Sequence, residues 1–329
     1  MNKLYNLSIK GISYELGSEE ILVKSFSNDN PDWDIDKIIS KTGIKKVFYT
    51  KQNQTAVDLA VSALQKFFLE HDNIVKSDID GLIFVTQSPD YTLPTSACII
   101  QNRSKLPKEM IAFDINLGCS GFVKSLSVAS SLINTGSCKN CLIVTSETYS
   151  KYISKNDRTN KPLFSDGASV TLLSNGGNFE IGPSEFGVDG SGAEHLIVYG
   201  SGAKNDKCKP VNELYMNGSE IFLFTISTIP KLVLKFLIDN NLSVDNIDKF
   251  YFHQASQLIL NAMGKKLKIP EKKLIINNQN IGNTVSSTIP ISLKLTELNN
   301  NLKKGDLILI IGFGVGLSYG LTLIKWGDK

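Results

Sequence analysis

The chain has 329 residues, 42% of them hydrophobic and 20% charged, with a formal net charge of +3. This balance allows one large domain or two of ordinary size around a proper core, and it excludes a disordered chain and a strongly basic nucleic-acid binder. Met1–Lys10 lacks the apolar centre of a signal peptide and no apolar run has the length of a membrane span, so a cytoplasmic protein with no membrane partner is expected.

Followed along the chain, the predicted elements repeat. The run from Phe68-Leu69 to Ser88 aligns without a gap with the run from Phe236-Leu237 to Ser256, at an offset of 168. Phe68, Leu69, Asn73, Ile79, Asp80, Phe84 and Ser88 are identical to their counterparts. In both copies a helix ends, a polar loop follows, and Ile-Asp opens an apolar strand. A second, weaker match at an offset of 165 pairs Asn134, Lys139, Leu142 and Ile143 with Asn299, Lys304, Leu307 and Ile308. Two α/β halves built alike are expected, residues 1–176 and 177–329.

Between the two repeated segments, Ile111-Ala-Phe-Asp-Ile115 reads as a buried strand. Phe122, Leu126, Ala129 and Ile133 mark one face of a helix that begins near Ser120. Cys119 stands where strand turns into helix, flanked by Gly118 and Gly121, where the backbone can turn sharply and a substrate can come close. A helix N-terminus favours negative charge, so a stabilised thiolate is expected there. By itself the motif fits a nucleophile and a packing cysteine equally. Five cysteines, an odd number without framework spacing, belong to a reducing compartment, and the lone Cys138-Lys-Asn-Cys141 pair gives no ground for a metal site.

Ser174–Lys204 is rich in glycine and reads as loops around one strand or two, not as a phosphate cradle. Lys265, Lys266 and Lys268 form a basic cluster of the kind usual on a solvated helix face. Of three histidines, His253 closes the apolar strand Phe250–Phe252 ahead of a helix, where it can point into a cleft or simply serve as a bonded core residue. The 165-residue offset carries Cys119 onto Thr284, beside Asn283, in a second strand-to-helix elbow. Leu274–Asn277 would be its strand, and Pro290 would lie in the first turn of its helix. Open α/β sheets place ligands at strand carboxyl ends, so both elbows can face one cleft. A cysteine nucleophile served by imidazole and amide donors can polarise a carbonyl oxygen, and asparagine, which is no base at neutral pH, favours oxyanion stabilisation over hydrolysis. The loop Gly312-Phe-Gly-Val-Gly316 lies between two apolar strands. It is therefore no dinucleotide fingerprint but offers backbone N–H groups for an oxyanion hole with the Cys119 amide.

Together these motifs resemble the β-ketoacyl-acyl-carrier-protein synthase III family of thiolase-fold condensing enzymes. The likeness runs through Lys41-Thr-Gly-Ile44, Ser88-Pro-Asp-Tyr91 with Leu93-Pro94, Gly118-Cys-Ser-Gly-Phe122, Asp157-Arg158 and Ser165-Asp-Gly-Ala168. It continues through Met216-Asn-Gly218, His253-Gln-Ala255, Gly282-Asn-Thr284 and the last glycine loop. The resemblance implies a five-layered αβαβα fold of two pseudo-symmetric halves, a homodimer, and no cofactor beyond the coenzyme A thioester that serves as substrate. It implies that Cys119 takes an acyl group from acyl-coenzyme A, and that malonyl on acyl carrier protein loses carbon dioxide and attacks the acyl-enzyme. His253 and Asn283 would then hold the enolate, and Cys119 with Gly314 and Val315 the tetrahedral oxyanion.

By the same resemblance Lys41, Arg158, Gly218, Ser219, Phe222, Ala255 and Phe313 would bind coenzyme A. Gln254, Lys265 and Lys266 would meet the carrier protein, and Leu93 would shape the partner subunit's acyl pocket. The chain departs from the family's usual residues at Lys37 and Lys41, where an aromatic and an arginine are common, and at Ser256 and Leu258. It also carries Leu93 in place of a phenylalanine, which points to primers longer or more branched than acetyl. The intact asparagine favours decarboxylative carbon–carbon bond formation, initiating fatty-acid synthesis. The same chemistry in a specialised pathway, for a surface glycan or secondary metabolite, and a non-catalytic subunit that keeps only the fold, are the competing readings.

Overall fold

The computed structural model describes residues 7–177, 179–204 and 211–327. The first half runs β1 (Leu7–Leu16), β2 (Glu19–Leu22), α1 (Phe26–Asp29), α2 (Ile35–Thr42), β3 (Lys46–Tyr49), α3 (Ala56–Glu70), β4 (Gly81–Val85), α4 (Ser96–Ser104), β5 (Ile111–Ile115), α5 (Gly121–Asn134), β6 (Cys141–Glu147) and β7 (Gly167–Asn175). It continues with β8 (Phe179–Val188), β9 (Leu196–Val198), β10 (Leu214–Met216), α6 (Gly218–Asp239), β11 (Lys249–Phe252), α7 (Gln257–Leu267), α8 (Thr288–Leu298), β12 (Leu307–Gly314) and β13 (Ser318–Trp326). The boundary read from the sequence at 176/177 falls between β7 and β8.

Nine strands lie in the order β11-β12-β13-β8-β1-β7-β6-β4-β5. The seam between β1 and β8 is held at only two residue pairs, Ser8 with Glu180 and Ile9 with Phe179, so the strands form two sheets joined at one corner. Helices α3 and α4 cover the outer face of the first sheet, and α6 and α7 the outer face of the second. Between the sheets lie α5, against β4, β6, β12 and β13, and α8, against β1, β7 and β11. The result is the expected five layers, αβαβα. Phe122, Leu126, Ala129 and Ile133, the predicted face of α5, are buried in the central layer with Ile143, Ile308 and Ile310. Burying a phenylalanine such as Phe122 contributes about 2–3 kcal/mol.

The duplication is visible residue by residue. Short 3₁₀ turns at Lys76–Asp78 and Val244–Asn246 sit at corresponding places in the two halves, and each leads into a strand, β4 or β11. The repeated aspartates do the same work in each. Asp80 accepts the backbone N–H groups of Lys139 and Asn140 ahead of β6, and Asp248 accepts that of Leu307 at the start of β12.

Two expectations are corrected. Leu274–Asn277 is not a strand but makes a single bridge, Phe250 with Leu274. Two more of its backbone groups bond a side chain: Gln254 Nε2 donates to the Ile275 carbonyl, and Gln254 Oε1 accepts from the Asn277 N–H. In addition, α6 is long and apolar enough, by length and composition, to cross a membrane. It lies instead along the second sheet, with Ile229, Val233, Phe236 and Leu237 buried against β12 and β13.

Candidate active site

Cys119, His253 and Asn283 come from three different elbows and line one cavity of about 620 Å³. Cys119 precedes α5, buried among Tyr149, Phe164, Leu196, Leu214 and Val285. The loop after β12 packs against it so closely that a Cβ on Gly314 would lie 3.0 Å from the Cys119 Cβ and Sγ, and Gly314 has φ +152°. Only glycine meets both demands. The loop's next residue, Val315, points its backbone N–H at the Cys119 sulfur, as does the backbone N–H of Cys119 itself. The backbone donors expected from the sequence therefore converge on the sulfur.

Burial pushes the Cys119 thiol up to about 12, and those N–H groups offset this only in part. This overturns the expectation of a stabilised thiolate: loss of water outweighs the helix end. His253 closes β11, 2% exposed, and burial pushes its imidazole down to about 3. Both groups rest neutral. The His253 Nδ1 lies 2.7 Å from the Thr288 hydroxyl, and the ring stands edge-on to Phe313, with centroids 5.8 Å apart. Asn283 is pinned by its backbone to the other half of the molecule, where Ser165 N–H donates to its carbonyl and its own N–H donates to that of Leu163. Its Oδ1 accepts the Val285 N–H at 2.9 Å, which turns the amide nitrogen away toward the cavity.

A carboxyl that sequence reasoning missed ties the elbows together. Glu147, at the end of β6, is fully buried and bonded to Gln87 N (3.0 Å), Ser88 Oγ (3.0 Å), Thr86 Oγ1 (3.4 Å) and Ser286 Oγ (3.0 Å). Burial pushes its pKa up to about 8 despite these bonds, so it is neutral at pH 7. The only sequence signal is an acid separated by two residues from the apolar run Cys141–Val144, which also fits an exposed strand end.

Of the remaining expected residues, Lys41, Gly218, Ser219, Phe222, Ala255 and Phe313 line the cavity, and Lys41, Gly218 and Ser219 are exposed. Arg158 lies exposed and off that wall, where Thr159 takes its place. Gln254 is a correction: it is 2% exposed and its amide is consumed by Phe252, Ile275 and Asn277, so it offers nothing to a carrier protein. Lys265 is exposed. Lys266 donates to the Ile226 carbonyl at 2.7 Å, the acceptor left without its helical partner because Pro230 has no N–H. Ser256, read as a departure, caps α7 by accepting from the Ile259 N–H. Leu93 is 80% exposed, away from both cavities of its own protomer. A second cavity of about 210 Å³ lies behind the Val315 loop, walled by Gln87, Asn116, Tyr149, Leu196, Leu214 and Val315. Among the described residues, no three metal-ligating side chains cluster.

Comparisons with known proteins place the chain in one family. Residues 113–190 match the family described as 3-oxoacyl-[acyl-carrier-protein (ACP)] synthase III, and residues 237–326 match its C-terminal part. A β-ketoacyl-[acyl-carrier-protein] synthase III of Clostridium perfringens is 37% identical over 308 residues, 92% of this chain and 93% of the relative. One of Clostridioides difficile is 34% identical, covering 88% and 89%. A crystal structure of a 3-oxoacyl-(acyl-carrier-protein) synthase III superposes with a TM-score of 0.93 at 37% identity, covering 97% of this chain and 99% of that one. A Burkholderia xenovorans synthase superposes at 0.89 with 32% identity over 98% and 94%.

Proposed function

Because the chain belongs to the 3-oxoacyl-[acyl-carrier-protein] synthase III family, we infer that it joins an acyl-coenzyme A primer to malonyl-acyl-carrier protein, with loss of carbon dioxide, to start a fatty acid. The observation that carries the reading is the convergence of one sulfur and two sets of neutral donors on a single cavity. In the first half-reaction Cys119 Sγ attacks the thioester carbonyl, a carbon–sulfur bond forms, and the coenzyme A sulfur leaves with the thiol proton. The backbone N–H groups of Cys119 and Val315 receive the oxyanion. In the second, the malonyl carbon–carboxylate bond breaks and its electron pair passes into an enolate. His253 Nε2–H and Asn283 Nδ2–H stabilise that oxygen, and the carbanion equivalent then displaces Cys119 from the acyl carbon as a thiolate, which takes one proton from solvent to restore the thiol.

The cavity mouth suits the nucleotide end of coenzyme A, since Lys41 supplies charge and the N-terminus of α6 at Gly218 and Ser219 supplies free N–H groups. The smaller cavity behind Val315 would take the acyl chain. The edge strand β5 is half-exposed along its whole length, and in this reading a second copy covers it, as the homodimer requires. Leu93 would then reach the partner's acyl pocket. The test separates the half-reactions. In Asn283→Ala, mass spectrometry should find Cys119 acylated at close to the wild-type rate, while carbon dioxide release from malonyl-acyl-carrier protein falls on the order of 10²-fold. Equal loss of both steps would contradict the assigned roles.

A further inference from the structure

One turn, residues 283–288, contains Asn283 and touches His253, the two donors assigned to the enolate. Val285 gives its N–H to Asn283 Oδ1, and its carbonyl lies 3.0 Å from the Thr288 hydroxyl. It does so at φ +54°, a left-handed conformation that a β-branched residue adopts only under constraint. The Thr288 hydroxyl lies closer, 2.7 Å, to His253 Nδ1. It has a single hydrogen to place between two acceptors. The Val285 carbonyl does not need it, because it already accepts the backbone N–H of Thr288. Among the described residues His253 Nδ1 faces no other donor, and Thr288 and His253 are 3% and 2% exposed.

We propose that Thr288 is a positioning residue whose hydroxyl donates to His253 Nδ1 and so fixes the imidazole as the Nε2–H tautomer, aiming a neutral hydrogen-bond donor into the cavity. Imidazole carries one hydrogen when neutral, so a donor at Nδ1 forces that hydrogen onto Nε2. The proposal rests on the reading of His253 as an enolate donor, and it adds what makes that role available. The Val285 carbonyl, an acceptor, also faces the imidazole, and without the hydroxyl it is the partner that remains. The hydrogen would then move to Nδ1, and Nε2 would turn a lone pair, not an N–H, toward the enolate oxygen.

The experiment labels histidine with ¹⁵N in the full-length protein, which has only three histidines, and assigns His253 by its loss in His253→Ala. In the resting wild type, Nδ1 should resonate as an unprotonated and Nε2 as a protonated ring nitrogen. In Thr288→Val, which removes the hydroxyl while keeping the branched shape, the two signals should exchange character. Decarboxylation of malonyl-acyl-carrier protein should fall on the order of 10²-fold, with acylation of Cys119 within about twofold, and Thr288→Ser should restore both the spectrum and the rate. The proposal is overturned by an Nδ1–H signal in the wild type, by an unchanged spectrum in Thr288→Val, or by loss confined to acylation. A wild type showing the expected tautomer and its exchange in Thr288→Val, but releasing no carbon dioxide, would sink the assigned reaction and leave the positioning role standing.

Discussion

Glu147→Gln should change how stability responds to pH. The carboxyl is fully buried and bonded to Gln87, Ser88 and Ser286, and burial raises its pKa from an ordinary 4.5 to about 8. A group whose folded pKa is raised binds its proton more tightly in the folded state. Its contribution is therefore complete below pH 4.5 and is lost as pH climbs toward 8. Across that interval the wild type should lose about 1.4 kcal/mol per pH unit relative to the glutamine variant, on the order of 4–5 kcal/mol in all. Glutamine keeps a neutral, bonded side chain of the same size, so the variant should be less stable than wild type near pH 5 and overtake or approach it above pH 8. Urea unfolding at fixed protein concentration between pH 5 and 9 gives the difference curve. Parallel profiles for the two proteins would mean that the carboxyl is not neutral in the fold, and the reasoning would fail.

Gly314→Ala should slow acylation of Cys119 at least tenfold, because the new Cβ meets the cysteine Cβ and Sγ at 3.0 Å in a backbone conformation that costs on the order of 1–3 kcal/mol for alanine; an unchanged rate of acyl mass gain would remove the loop from the oxyanion hole. Leu93→Phe should shift the ratio of kcat/KM toward acetyl-coenzyme A and against longer or branched primers. If the ratio stays put, Leu93 does not face a partner's acyl pocket.

The proposed catalytic trio was legible because its chemistry sits at punctuation. Cys119 follows a strand and is flanked by Gly118 and Gly121, His253 follows Phe250–Phe252, and Asn283 follows Gly282. The two like halves were legible because the repeat places the same strand-opening aspartate, Asp80 or Asp248, ahead of equivalent crossovers, whereas the five layers followed only from the family resemblance. What sequence could not carry was the effect of burial on charge. The position of Cys119 before α5 argued for a thiolate, yet its enclosure by Tyr149, Leu196 and Leu214 decides for the thiol. Gln254 looked like a surface residue beside a catalytic histidine. Only the fold shows that it replaces the strand pairing that Leu274–Asn277 never makes. Glu147 stayed hidden because its partners Gln87, Ser88 and Ser286 lie 59 to 139 residues away along the chain.

A neutral cysteine beside a neutral histidine constrains how the first bond is made. With burial holding the thiol up, near 12, and the imidazole down, near 3, moving the proton between them is uphill. A thiolate–imidazolium pair is therefore not the resting state, and the sulfur gains its nucleophilic character only as the thioester arrives and charge flows onto its carbonyl oxygen. At that moment the Val315 and Cys119 N–H groups, which meet the sulfur at rest, have a developing oxyanion to serve instead. The same dry surroundings that suppress the thiolate keep His253 uncharged, and an uncharged imidazole can only stabilise an enolate by donating a hydrogen bond. Burial thus disfavours base catalysis and favours donation at the same two residues, and that is the division of labour a decarboxylating condensation needs.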